Sequence, residues 1–250
     1  ASWVSRDVVV PADPSAAAFW LVAGAVHPAA SITLPHVGLN PTRLGVIRVL
    51  ERMGATITVT PASVDGPEPA GDLTVTSAGR LTAVDLGPQE VADVIDELPV
   101  LAIAMASAQG TSTVRGAGEL RVKESDRIRL VVDGLAAIGV DVTETEDGWT
   151  ITGAPVRPNI GEGAPESEAP PSAIRTNGEG APESEVPPSA IRTGGEEGPA
   201  VIRTDGDHRI AMAFAVADLV GVGTRGATPD DPECAAVSYP TFWNDLEGLR

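Results

Sequence analysis

The chain has 250 residues, 42% of them hydrophobic, enough to bury a sizeable core in one large domain or two small ones. A formal net charge of −18 repels nucleic acid and anionic lipid, and an aromatic content of 3% removes the stacking surfaces of single-strand binders. No nucleic-acid or membrane partner is therefore expected, and the lone cysteine, Cys234, suits a reducing, cytoplasmic location in which no internal disulfide forms.

The longest apolar stretches, Ala16–Val26, Pro99–Ala106 and Ile210–Val222, fall short of the roughly 20 residues a membrane span needs. The first residues carry no secretory pattern. Each apolar stretch instead follows an aspartate and a short polar or proline-containing step: Asp13 before the run to Val26, Asp96 before the run to Ala108, and Asp207 before the run to Val220. Apolar residues lie nearly all round these segments, which predicts three buried helices, each with its aspartate placed to cap the first turn.

A β-branched strand is expected after each buried helix, at Ser31–Leu34, Ser112–Val114 and Gly223–Ala227. A helix with one apolar face should follow, over Thr42–Met53, Asp126–Ile138 and Pro240–Leu249, the last with Pro240 at its first position. Hairpins close the first two units, Ala55–Thr60 with Leu73–Thr76 and Val140–Thr145 with Trp149–Thr152. The repeated unit reads β-α-β-α-β-β, in a single α/β (α+β) domain over 1–250 with units near 1–80, 81–154 and 155–250. Parallel inner helices with sheets outside would bring the helix N-termini to one end, where their dipoles and loose N–H groups attract anions.

Asp13 and Asp96 are 83 residues apart, but Asp96 and Asp207 are 111 apart. The excess of 28 matches a tandem expansion: Gly161–Asn177 recurs almost unchanged as Gly178–Gly194, and a shortened copy follows from Gly195. Its Pro, Gly, Glu and Ser content predicts a flexible surface insertion over 157–199, with an acidic tether as the alternative.

Ionisable residues crowd the helix starts of the second and third units: Asp96 and Glu97, the run Arg121 to Arg127, and Asp207-His208-Arg209. Such mixed-sign runs are ordinarily solvated faces. Lys123 and Arg127, four apart on an expected helix, would share a face and could clamp a phosphate or carboxylate. His27 and His36 lack ligand-spaced partners and read as surface or packing residues, and Cys234 lacks a local base and reads as inert. Asn40-Pro41-Thr42-Arg43 reads as a turn and helix start, with a substrate contact by Arg43 as the lesser alternative.

Five strings in order make the pattern specific: VGLNPTR at 37–43, DELP at 96–99, LRVKESDRI at 120–128, DGDHRIAMA at 205–213 and VSYPTF at 237–242. Together they resemble the C-terminal lobe of the 5-enolpyruvylshikimate-3-phosphate synthase family. The resemblance implies a lobe of three β-α-β-α-β-β units and an enzyme that moves enolpyruvyl from phosphoenolpyruvate to the 5-hydroxyl of shikimate 3-phosphate in the shikimate pathway. It implies Asp96 and Glu124 as the catalytic carboxylates, Asp96 and Lys123 at shikimate 3-phosphate, and Arg127 and Arg209 at phosphoenolpyruvate. His208 is then an orienting or structural residue rather than the acid. No metal or other cofactor is implied, since phosphate leaves from a tetrahedral intermediate without one. A lysine that some members place near the C-terminus corresponds here to Val237. The family's other lobe has no counterpart in these residues, so a missing N-terminal lobe is expected as a partner and the chain by itself is expected to be inactive. The alternatives are an enzyme like the UDP-N-acetylglucosamine enolpyruvyl transferase and a non-catalytic anion-binding module.

Overall fold

The computed structural model describes residues 9–62, 68–77, 79–154 and 198–249. The 17-residue repeat lies outside the described residues. Three helices form the interior: α1 (Pro14–Val26), then, after α2 (Gly45–Arg52) and the short α3 (Pro88–Val91), α4 (Leu98–Ser107), and, after α5 (Arg127–Ala137), α6 (His208–Val220). Their alanines, with Gly24 of α1, carry little bulk, so the three helices pack on one another and stay buried nearly all round.

Each inner helix lies against strands of its own unit. Strands β1 (Ser31–Gly38), β2 (Thr56–Pro61) and β3 (Ala70–Thr76) form an antiparallel sheet ordered β1-β3-β2, with Leu34 opposite Leu73 and Ile57 opposite Val75. Gly24 of α1 allows this sheet to approach, because a Cβ there would stand 2.5 Å from Val75 Cγ1. The second sheet, ordered β4-β5-β7-β6, combines β4 (Asp85–Leu86), β5 (Thr111–Val114), β6 (Asp141–Thr145) and β7 (Gly148–Thr152), with β4 parallel to β5 and the rest antiparallel. In the third unit β8 (Ala200–Ile202) pairs in parallel with β9 (Ala227–Pro229), and α7 (Phe242–Glu247) follows. The fold is mixed α/β, with three helix-and-sheet units around shared inner helices.

The last unit also packs back on the first. Trp20 of α1 stacks on Phe242 at 5.2 Å between ring centroids, and its Nε1 donates to Tyr239 Oη at 3.0 Å. Burying aromatic surface and satisfying the indole N–H together fix α7 beside α1.

Four local expectations need correction. The strand expected at Gly223–Ala227 forms later, at Ala227–Pro229, because 221–226 first make a turn with Gly221 and Gly223 at positive φ. The expected helix from Thr42 is split: Pro41–Arg43 make one 3-10 turn, and the α-helix begins at Gly45. Pro240 precedes α7 rather than opening it.

The fourth concerns helix capping. Asp13 caps α1 through Ala16 N at 3.2 Å, and Asp207 caps α6 through Arg209 N at 2.9 Å, but Asp96 does not cap α4. That helix starts at Leu98, with Pro99 at its second position. Its N-cap residue is Glu97, so Asp96 lies one residue ahead of the cap position and its carboxylate faces Lys123 and Arg127 instead.

Candidate active site

Hydrogen bonds tie the N-terminal ends of the inner helices together. Ser15, in the first turn of α1, donates to Glu97 Oε1 beside the start of α4 at 2.5 Å. Arg209, in the first turn of α6, donates from Nη1 to the backbone oxygen of Asp96 at 2.9 Å. Arg127, the first residue of α5, reaches Asp207, the N-cap of α6. The inner helices therefore run parallel, with their positive dipole ends gathered at one end of the molecule.

Arg127 is the hub of that end. Its side chain is 1% exposed, and four of the five guanidinium N–H groups point at carboxylates. Nε and Nη2 hold Asp207 from 2.7 and 3.3 Å, Nη1 holds Asp96 Oδ1 from 3.2 Å, and Nη2 also holds Glu124 Oε2 from 2.5 Å. Burial by itself would push the Asp207 carboxyl up, but hydrogen bonds and charge from Arg127, with help from Ser125 and the Arg209 N–H, hold it below the usual carboxylate range. Asp207 stays ionised and fully buried, so Arg127 stays in place.

Asp96 looks outward by comparison. At 42% side-chain exposure it keeps access to solvent while Oδ1 sits 3.2 Å from Arg127 Nη1 and 3.7 Å from Lys123 Nζ. Lys123 is held 2.9 Å from Glu119 Oε1 as well. That hydrogen bond and the charge of Asp96 outweigh partial burial and raise the lysine above its ordinary value, so it is a permanent cation. Glu124 is also exposed, leaving its second oxygen open to a ligand.

Lys123 and Arg127 do converge, but not through a shared helix face as their spacing suggested. Gly118–Val122 form a 3-10 turn, 123–125 bend, and α5 begins only at Arg127. The two cations meet because both reach Asp96, 27 and 31 residues earlier. Asp126 caps α5 through Arg129 N at 3.0 Å and pairs with Arg121, which also holds Glu144 Oε1 at 2.9 Å and so anchors this bend to the β6–β7 hairpin.

Arg209 differs from Arg127 in having donors to spare: among the described residues only its Nη1 is hydrogen bonded. Its neighbour His208 is lowered below the ordinary histidine value by burial and by the Arg209 charge, so it is neutral at pH 7. Val237 stands on a 3-10 turn at 85% exposure. Cys234 donates to Asp231 O at 2.9 Å, and burial pushes its thiol up to about 11, too high for a ready nucleophile. Among the described residues no three His, Cys, Asp or Glu side chains are grouped to hold a metal.

Sequence reasoning missed three participants. Glu119 was visible as the i,i+4 partner of Lys123. The clasp of Asp207 on Arg127, across 80 residues, and the bond from Ser15 to Glu97, across 82, had no local signal.

Comparison with known proteins decides the family. The family model for EPSP synthase (3-phosphoshikimate 1-carboxyvinyltransferase) matches residues 3–165 and 180–246. The chain belongs to the EPSP synthase family. Over 246 residues it is 41% identical to a 3-phosphoshikimate 1-carboxyvinyltransferase of Synechococcus sp. (strain CC9605), covering 98% of this chain and 46% of the relative. The corresponding relative from Salinibacter ruber is 42% identical over 240 residues, covering 96% and 46%. The solved EPSP synthase of Acinetobacter baumannii superposes with a TM-score of 0.72 at 35% identity over 97% of this chain and 46% of that one. The enolpyruvyl transferase NikO of Streptomyces tendae shares the fold, with a TM-score of 0.64 at 17% identity over 97% of this chain and 44% of its own. The chain spans about half the length of the curated relatives it matches.

Proposed function

We propose that this chain supplies the acid–base groups and the phosphoenolpyruvate cations of an EPSP synthase, working with a second half that closes over the joined helix ends in the cytoplasm. Enolpyruvyl would pass from phosphoenolpyruvate to the 5-hydroxyl of shikimate 3-phosphate, with release of phosphate. The observation that carries this reading is Asp96: an exposed carboxylate on two cations, Lys123 and Arg127, joined through its own backbone to a third, Arg209.

Asp96 takes the proton of the attacking hydroxyl, and Lys123 holds the ring hydroxyls beside it. Glu124 delivers a proton to the methylene carbon of phosphoenolpyruvate. Arg209 grips a carboxylate or phosphate edge with its spare donors, and Arg127 adds charge from beneath while keeping both carboxylates in register. The tetrahedral adduct then loses phosphate, and the proton from the methyl group returns to the protein. No step calls for a metal or other cofactor. Closure by a second half would exclude water and strengthen each of these interactions.

The test is phosphate release by this chain, alone and joined to the half of the Synechococcus relative that it does not span. Turnover is expected only in the joined form and only with shikimate 3-phosphate. Arg209→Ala there should raise the phosphoenolpyruvate KM roughly ten- to a hundredfold, the worth of hydrogen bonds to a charged group. Turnover by the chain alone would remove the need for a second half. Acceptance of UDP-N-acetylglucosamine instead would replace the proposed acceptor.

A further inference from the structure

A second polar chain crosses this end of the molecule and ends on Arg209. Arg43 donates from Nη2 to Ser15 Oγ at 2.8 Å and to Asp13 Oδ1 at 3.0 Å. Ser15 is buried and has one hydroxyl proton. With its oxygen already accepting from Arg43, that proton goes to Glu97 Oε1 at 2.5 Å. The same Glu97 oxygen lies 3.9 Å from Arg209 Nη1, at the outer limit of an ion pair and beyond hydrogen-bond reach.

Glu97 thus sits between two attractions. Ser15 draws it toward α1, and Arg209 on α6 has unused donors within ion-pair distance. Without the hydroxyl, Glu97 would turn to Arg209, since Arg43 is already held by Asp13. A full ion pair there would occupy the guanidinium edge that an anionic ligand needs.

We propose that Ser15, with its hydroxyl oriented by Arg43, is a positioning residue that holds Glu97 off Arg209 and keeps that guanidinium open to an anion. That the anion is phosphoenolpyruvate rests on the function proposed above. The device links all three units: Arg43 and Ser15 from the first, Glu97 from the second, and Arg209 from the third.

The test is guanidinium NMR of the isotopically labelled chain, read at Arg209 and titrated with phosphoenolpyruvate and, separately, inorganic phosphate. In Ser15→Ala the Arg209 signals should shift and its Nη rotation slow, as expected of a new carboxylate pair. The titration midpoint should weaken roughly two- to fivefold, the range of a partly exposed ion pair. Adding Glu97→Gln to Ser15→Ala should return both readings toward those of the unaltered chain. A loss due only to packing would not be cured by a second substitution. Unmoved Arg209 signals in Ser15→Ala, or a double variant no better than the single one, overturns the proposal. If Arg209 responds as expected and inorganic phosphate follows it, but phosphoenolpyruvate binds no more tightly than phosphate, the positioning role stands and the phosphoenolpyruvate assignment of Arg209 fails.

Discussion

The first and second units contain the same ion pair, built at the same place, with different consequences. Asp13 and Arg43 are 30 residues apart and 3.0 Å from contact to contact; Asp96 and Arg127 are 31 apart and 3.2 Å. Each aspartate precedes a buried helix, and each arginine sits at the helical segment after the following strand. Yet the Arg43 side chain is 51% exposed and that of Arg127 only 1%. The local repeat therefore sets the pair, while its environment comes from the third unit, whose Asp207 reaches under Arg127. Asp13 keeps its task as a helix cap. Asp96, one residue ahead of the α4 N-cap, turns its carboxylate to Lys123 and Arg127 instead.

The largest break in this comparison is expected from Arg127→Met. It leaves Asp207 buried and unpaired, so denaturant unfolding should show a loss of about 3–5 kcal/mol. A loss under about 1 kcal/mol, the range of exposed pairs, would show that Asp207 does not depend on Arg127.

A smaller effect should follow from Gly134→Ala. A Cβ at Gly134 in α5 would overlap the Phe214 ring tip on α6, the helix whose N-cap Asp207 holds Arg127 at the start of α5. Overpacking there should cost about 1–3 kcal/mol despite alanine's better helix propensity. Unchanged or increased stability would mean that α5 reaches α6 without needing the glycine.

The smallest effect belongs to Arg43→Met, at about 0–1 kcal/mol and fading as salt is raised. A loss as large as that of Arg127→Met would erase the distinction between the two pairs.

How far the sequence reached follows the same division. The buried helices were legible because Ala16–Val26, Pro99–Ala106 and Ile210–Val222 are apolar all round, and the hairpins because alternation and turn residues are local signals. Asp96, Lys123, Glu124, Arg127 and Arg209 were legible as motif residues, though the sharing of Asp96 by two cations was not. The helix face proposed for Lys123 and Arg127 failed because 123–125 bend, and no periodicity could reveal that Asp96, 27 and 31 residues earlier, would join them. Ser15 carried no signal in the sequence, since its partner Glu97 lies 82 residues away.

The central claim is that Asp96, on its two cations, moves a proton rather than merely holding substrate. In the chain joined to its relative's remaining half, Asp96→Asn preserves shape and hydrogen bonding but cannot take a proton. It should lower kcat roughly 10²- to 10⁴-fold, the usual reach of general-base catalysis, with a smaller change in phosphoenolpyruvate KM. It should also slow solvent-deuterium exchange into the methylene of phosphoenolpyruvate, since that exchange requires addition to the acceptor first. If Asp96→Asn leaves kcat and exchange intact while only binding weakens, the carboxylate positions substrate and the acid–base account is wrong.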